Sequence, residues 1–191
     1  MLTTLAAPAF AGTWYIEDGN ITISAGSEAG TNKVEQVGKD TVNNDKDTII
    51  TNREDKASSN TVTIEAKDKD DKVEVTLKDL NIDASRGSEA AVSVTGKGDT
   101  NIELDGDNEL KSGAGHAGLE HNKTDTSGEL TIQDKDKNGS LEAVGGFKGA
   151  GIGSAGSNDA QVKITGGNIT AKADGQGAGI GGGYGGNGTV E

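Results

Sequence analysis

The run DKDKNG, Asp134 to Gly139, sets oxygen-bearing side chains at alternating positions, Asp134, Asp136 and Asn138, with a glycine in sixth place. This is the first half of an EF-hand-type loop, in which hard oxygen ligands converge on calcium. The twelfth position is Gly145 rather than a bidentate Glu, so the run reads either as a solvated turn or as a weak calcium site. A second acidic run, Asp68 to Asp71, is interleaved with lysine and reads better as a solvated loop.

Other residues with chemical potential are few. Tyr184 and Phe147 offer rings on which a sugar could stack, although each could equally cover the layer beneath it, and for Phe147 packing is the stronger expectation. His116 falls within a glycine-rich corner as an expected exposed substitution, and His121 is expected in the loop that follows. Neither has a Ser or Cys partner at a readable spacing. Arg53 and Arg86 are the only arginines, and Arg86 beside Glu89 reads as half of an ion pair rather than as a base. The stretch GAGIGGGYGG, residues 177 to 186, matches the dinucleotide pattern G-x-G-x-x-G at Gly177, Gly179 and Gly182.

That glycine pattern is not unique in the chain. It recurs as GAGHAG from Gly113 and as GAGIGSAG from Gly149, and taking Ala91, Ala117, Ala150 and Ala178 as equivalent gives steps of 26, 33 and 28 residues. A dinucleotide fingerprint occurs once and opens a helix, whereas these copies lead towards strands. Two further sets keep the same step: Val75/Leu77, Ile102/Leu104, Leu130/Ile132 and Val162/Ile164, then Leu80/Ile82, Leu110, Leu141/Ala143 and Ile169/Ala171. Each alternates with polar residues, the period of a half-buried strand.

Three short strands per repeat, joined by Gly, Asn and Asp turns too short for crossover helices, predict an all-β, right-handed parallel β-helix with about 28 residues per rung. A rung cannot bury its own apolar face, so stacking supplies the core. The glycines then mark corners where backbone lies on backbone. Stacking would also gather Asp79, Asp105, Asp107, Asp134 and Asp136 on one turn edge, where Lys78, Lys135, Lys137 or a calcium ion could offset their repulsion. The expected organisation is a shortened signal peptide over 1–11, a capping region with irregular first rungs over 12–60, and the regular helix over 61–191. Trp14 and Ile16 are expected to cover the first rung, while residues 24–47 fit no rung. The last residues, NGTVE, fall within an expected strand, so the chain reads as truncated at its C-terminus.

Composition narrows the partners. A formal net charge of -13 repels a phosphate backbone, which argues against nucleic acid and anionic membrane. No apolar run is long enough for membrane insertion, and there are no cysteines for disulfides or thiolate metal sites.

The segments GAGIGSAGSNDAQVKITGGNITAKADGQGAGIGGGYGGNG, VEVTLKDLNIDAS and NIELDGDNELKSGAGHAGLE resemble the carbohydrate-binding-domain β-helix proteins of Gram-positive bacterial cell surfaces. The resemblance covers about residues 60 to 191 well and 12 to 60 loosely. It implies secretion, surface display, glycan or cell-wall association and, in some relatives, calcium; with so few residues able to do catalysis, the expected protein is non-catalytic and binds a polysaccharide or host glycan. A structural stalk or adhesin segment, and a relative of the polysaccharide lyases, are the alternatives.

Overall fold

The computed structural model describes residues 11–191, and the proposed signal segment lies almost wholly outside them. The strands form three sheets around one core, a β-solenoid of about five turns with about 28 residues per rung. The first sheet runs β1 (Thr13–Tyr15), β5 (Ile49–Thr51), β7 (Lys72–Lys78), β10 (Asp99–Asp105), β13 (Leu130–Gln133), β16 (Ala160–Ile164) and β19 (Gly188–Val190). The second runs β8 (Asn81–Asp83), β11 (Asp107–Lys111), β14 (Ser140–Gly145) and β17 (Asn168–Ala173). The third contains β2 (Ile21–Ala25), β6 (Val62–Ala66), β9 (Val92–Gly96), β12 (Leu119–His121), β15 (Ile152–Gly153) and β18 (Ile180–Gly181), and is extended beyond β2 by β3 (Asn32–Gln36) and β4 (Val42–Asp45).

Neighbouring rungs pair in parallel, so like residues stack in columns. Val75, Ile102, Ile132 and Ile164 form one such column. Ile82, Leu110, Ala143 and Ala171 form another. The alternation of strand residues turns one set inward, and Ile102, Leu104, Leu110 and Ile132 are buried completely or nearly so.

Two details of the expected register are corrected. Ile102 stacks on Ile132, not on Leu130, because the loop between β12 and β13 delays the next strand by two residues relative to the apolar pairs. Val92 stacks on Leu119, so Ala90, two residues earlier, shares the column of Ala117, and Ala91 belongs one place further on.

The glycine corners are as close as the stacking requires. A Cβ added at Gly149 would lie 1.9 Å from the His116 carbonyl oxygen of the rung below, and one at Gly177 would lie 2.1 Å from that of Gly149. Backbone meets backbone here, and no side chain fits between.

Residues 24–47, which fit no rung, form the cap. β3 pairs antiparallel with β2, and β4 antiparallel with β3, so the sheet continues while the solenoid ends. The cap closes the core with polar groups as well as Val34. Asn32 donates from Nδ2 to Thr48 Oγ1 at 2.9 Å and to the Glu74 carbonyl at 2.6 Å, reaching the part of β7 that β5 leaves without a neighbour. Gln36 donates to the carbonyls of Tyr15 and Gly19. Trp14 and Ile16 are buried beneath, as their alternation predicts. Among the described residues, no helix is long and apolar enough to cross a membrane.

Candidate functional site

Equivalent turns of two adjacent rungs define the most exposed aromatic feature among the described residues. In the lower turn the His116 amide donates to the Gly113 carbonyl at 3.2 Å, and in the upper one the Gly149 amide donates to Gly146 at 2.8 Å. Both need positive φ at their third residue. Gly115 supplies it freely at +89°, but the upper turn carries Lys148 there at +74°. A lysine in the left-handed region costs about 1 kcal/mol or more, and such strain concentrates where a side chain is needed for a purpose other than folding.

Lys148 stands between two rings. Its Nζ lies 5.6 Å from the centroid of Phe147 and 5.5 Å from that of Tyr184, within cation–π range of both. The Tyr184 amide donates to the Lys148 carbonyl at 2.8 Å, which fixes the two corners against each other. Phe147 rests one edge near Gly175, whose missing Cβ makes room for it, and is still 51 % exposed. Tyr184 is 48 % exposed. The two aromatic candidates are therefore brought together into one patch with a cation at its centre. The sequence reading overlooked Lys148; its only signal there was that the equivalent turn one rung below holds a glycine, Gly115, in its place.

The acidic turn edge also assembles, but its oxygens are directed at protein donors. Asp105 accepts from Lys78 Nζ at 2.5 Å through one oxygen and from Asn138 Nδ2 at 3.2 Å through the other. Asp134 accepts from the amides of Asn138 and Gly139, both at 3.2 Å, closing its own turn. Asp107 accepts from Ser140 Oγ at 2.7 Å, and its amide donates to Asp79. Asp136 is exposed. The ammonium of Lys78, its pKa raised by the hydrogen bond and charge of Asp105, sits where a metal ion at Asp105 would lie. As arranged, Asp105, Asp107 and Asp134 are bonded to protein donors, Asn138 is bonded to Asp105, and among the described residues no group of three or more His, Cys, Asp or Glu is placed to hold a metal.

The histidines differ from their expected settings. His121 is not in a loop: it ends β12, faces inward in the column of Val94, and is 2 % exposed. Its ring nitrogens lie 3.1 Å from the Val94 carbonyl and 3.0 Å from that of Gly128. His116 is half-buried and bonded to Glu120, with Nδ1 2.9 Å from Oε2. Arg86 makes no ion pair with Glu89 or with any other described residue. It is Arg53 that is tied down, bidentate to Asp18 and stacked 4.1 Å over the Tyr15 ring. Asp68 and Asp71 close an exposed turn on each other, as a solvated loop would.

No family model, curated protein or solved structure matches this chain.

Proposed function

We propose that this protein is a secreted or cell-surface, non-catalytic glycan-binding β-solenoid, of the kind its repeats resemble in Gram-positive bacteria. The observation that carries the reading is the patch of Phe147, Lys148 and Tyr184, in which two half-exposed rings from different corners flank one cation. Exposed rings beside a hydrogen-bond donor suit a sugar, whose apolar ring face stacks while its hydroxyls accept from the ammonium. Rigid corners hold the patch, so little side-chain order is lost on binding. The acidic surface disfavours polyanions such as nucleic acid and leaves neutral glycans unopposed. Calcium at the acidic turns finds no support in their geometry, and the reading does not require it.

The test is retention on a panel of immobilised polysaccharides, wild type against Tyr184→Ala and Phe147→Ala. Retention of the wild type on at least one polysaccharide, weakened in both variants, is expected. A cooperatively melting wild type that no polysaccharide retains would overturn binding and leave a structural stalk or adhesin segment. Release of unsaturated products from a retained polysaccharide would instead indicate lyase activity.

A further inference from the structure

Beside the aromatic patch lies a second, chemically different cleft of about 340 Å³ on the outer face of the third sheet. Its floor is a ladder of like-facing side chains. Thr22 stands beside Thr63, Thr63 beside Ser93, and Ser93 beside Glu120, one from each of four successive rungs. Glu89 and His116 form part of the wall, and no lysine or arginine lines it.

The end of the ladder is built with more care than a solvated surface needs. The Glu120 side chain is only 7 % exposed although it faces outward. One oxygen accepts from the Ala117 amide at 3.0 Å and from His116 Nδ1 at 2.9 Å, and the other accepts from Asn122 Nδ2 at 3.1 Å. With every near donor aimed at this carboxylate, Nδ1 carries the proton. In the neutral imidazole the opposite nitrogen, Nε2, is then left as an acceptor, and it has no hydrogen-bond partner among the described residues.

The cleft adjoins the aromatic patch through backbone contacts. The Gly146 amide donates to the His116 carbonyl at 2.9 Å, and the Gly115 amide donates to that of Phe147 at 2.8 Å. His116 therefore stands one rung below Phe147 and Lys148. From the rung of Thr22 to that of Tyr184 the surface runs five steps, about 24 Å at the strand spacing. Each step is close to the length that one pyranose adds to an extended glycan.

We propose that the cleft is a subsite for neutral sugars, continuous with the aromatic patch, so that a bound glycan lies along the solenoid axis. This rests on the glycan-binding reading above. His116 Nε2 accepts from a sugar hydroxyl, and Thr22, Thr63 and Ser93 exchange hydrogen bonds with others. Glu89 and Glu120, without a balancing cation in the lining, repel a uronate from this end.

The experiment measures binding by calorimetry of xylobiose and xylohexaose as neutral probes, with a galacturonic acid hexamer as the charged one. Wild type, His116→Ala, the double variant Thr63→Val/Ser93→Ala and Tyr184→Ala are compared after each is shown to melt cooperatively. The expected result is that wild type prefers the neutral hexamer to the dimer. His116→Ala and the double variant should each lower hexamer affinity about tenfold, the scale of a hydrogen bond or two. Both should leave dimer binding unchanged, while Tyr184→Ala weakens both neutral probes. Because the double variant leaves the His116–Glu120 contact intact, a fold defect at the histidine cannot imitate the result. Unchanged hexamer affinity in both cleft variants, or tighter binding of the charged hexamer than of the neutral one, would overturn the subsite while wild-type binding still supports the patch. Failure of the wild type to bind any of the three probes would overturn the subsite too, and the polysaccharide panel then decides the broader reading separately.

Discussion

Asp45 and Trp14 are joined at the closed end of the solenoid: the indole Nε1 donates to Asp45 Oδ2 at 2.7 Å, and the Gly12 amide donates to Oδ1 at 2.8 Å. The carboxylate is fully buried. It ties β4, the last strand of the cap, to β1, the first strand of the solenoid, and so holds the cap over the core.

Replacing Asp45 by Ala removes both bonds and leaves the indole N–H without a partner in a buried place. A loss of about 2–4 kcal/mol is expected, the range for charge-assisted bonds with an orphaned donor. Urea denaturation followed by tryptophan fluorescence reads it directly, because the chain has a single Trp. A loss below about 1 kcal/mol would show that the cap is held chiefly by its apolar contacts.

Close backbone approach predicts a sharp contrast between glycines. Gly149→Ala places a Cβ against the His116 carbonyl and should cost about 3 kcal/mol or more, since rigid backbone must separate. Gly87→Ala meets only the Ala84 carbonyl at 3.4 Å, an ordinary contact, and should stay within about 0.5 kcal/mol of wild type. Equal midpoints for the two variants would contradict the stacked-corner geometry.

At Lys148, stability and binding should part. Lys148→Gly relieves the left-handed strain and is expected to stabilise by about 0.5–1 kcal/mol, the strain relief less the greater freedom of glycine in the unfolded chain. It also removes the cation between Phe147 and Tyr184, so glycan retention should weaken as the melting temperature rises. A variant less stable than wild type would show that the lysine contributes packing that outweighs its backbone cost.

Acid should loosen the capped end. The hydrogen bond from Arg53, then that from Lys39, holds the Asp18 carboxyl well below the usual carboxylate range. The folded-state value is depressed, so this contribution is fully present above the unfolded value of about 3.9 and is lost as pH falls from there towards the folded value. Asp18→Asn should be less stable than wild type near neutrality, and the two should converge as the pH is lowered through about 3. Parallel stability curves across that window would show that the Arg53 and Lys39 contacts add nothing in solution.

At the acidic turns, added calcium should leave the melting temperature unchanged, because Lys78 and Asn138 already occupy the Asp105 carboxylate. A rise with calcium that Asp105→Asn abolishes would mean that the ion displaces Lys78. Chelator should likewise leave glycan retention intact.

Much of the fold was legible in the residues because a solenoid writes its register into sequence. Ile102 above Val75, or Ala143 above Leu110, recur at the rung spacing, and a period of two within each strand says which side faces the core. The glycine corners were readable for the same reason, since only a repeated close contact demands the same small residue at every turn. The cap was not. Residues 24–47 occur once, and their burial depends on Asn32, Gln36 and Asp45 finding carbonyls and N–H groups far away in the chain. The candidate site divides the same way. Sequence alone singled out Phe147 and Tyr184 as rings that could stack on a sugar or cover the rung beneath, and the Asp residues of one turn edge as neighbours, because type and rung position determine both; that Phe147 stands half-exposed rather than packed was decided by the tertiary structure. Only tertiary structure set Lys148 between the rings, aimed the turn carboxylates at Lys78, Asn138 and Ser140, and buried Glu120 beneath His116. Those outcomes depend on side-chain direction at a corner, which one-dimensional spacing does not encode.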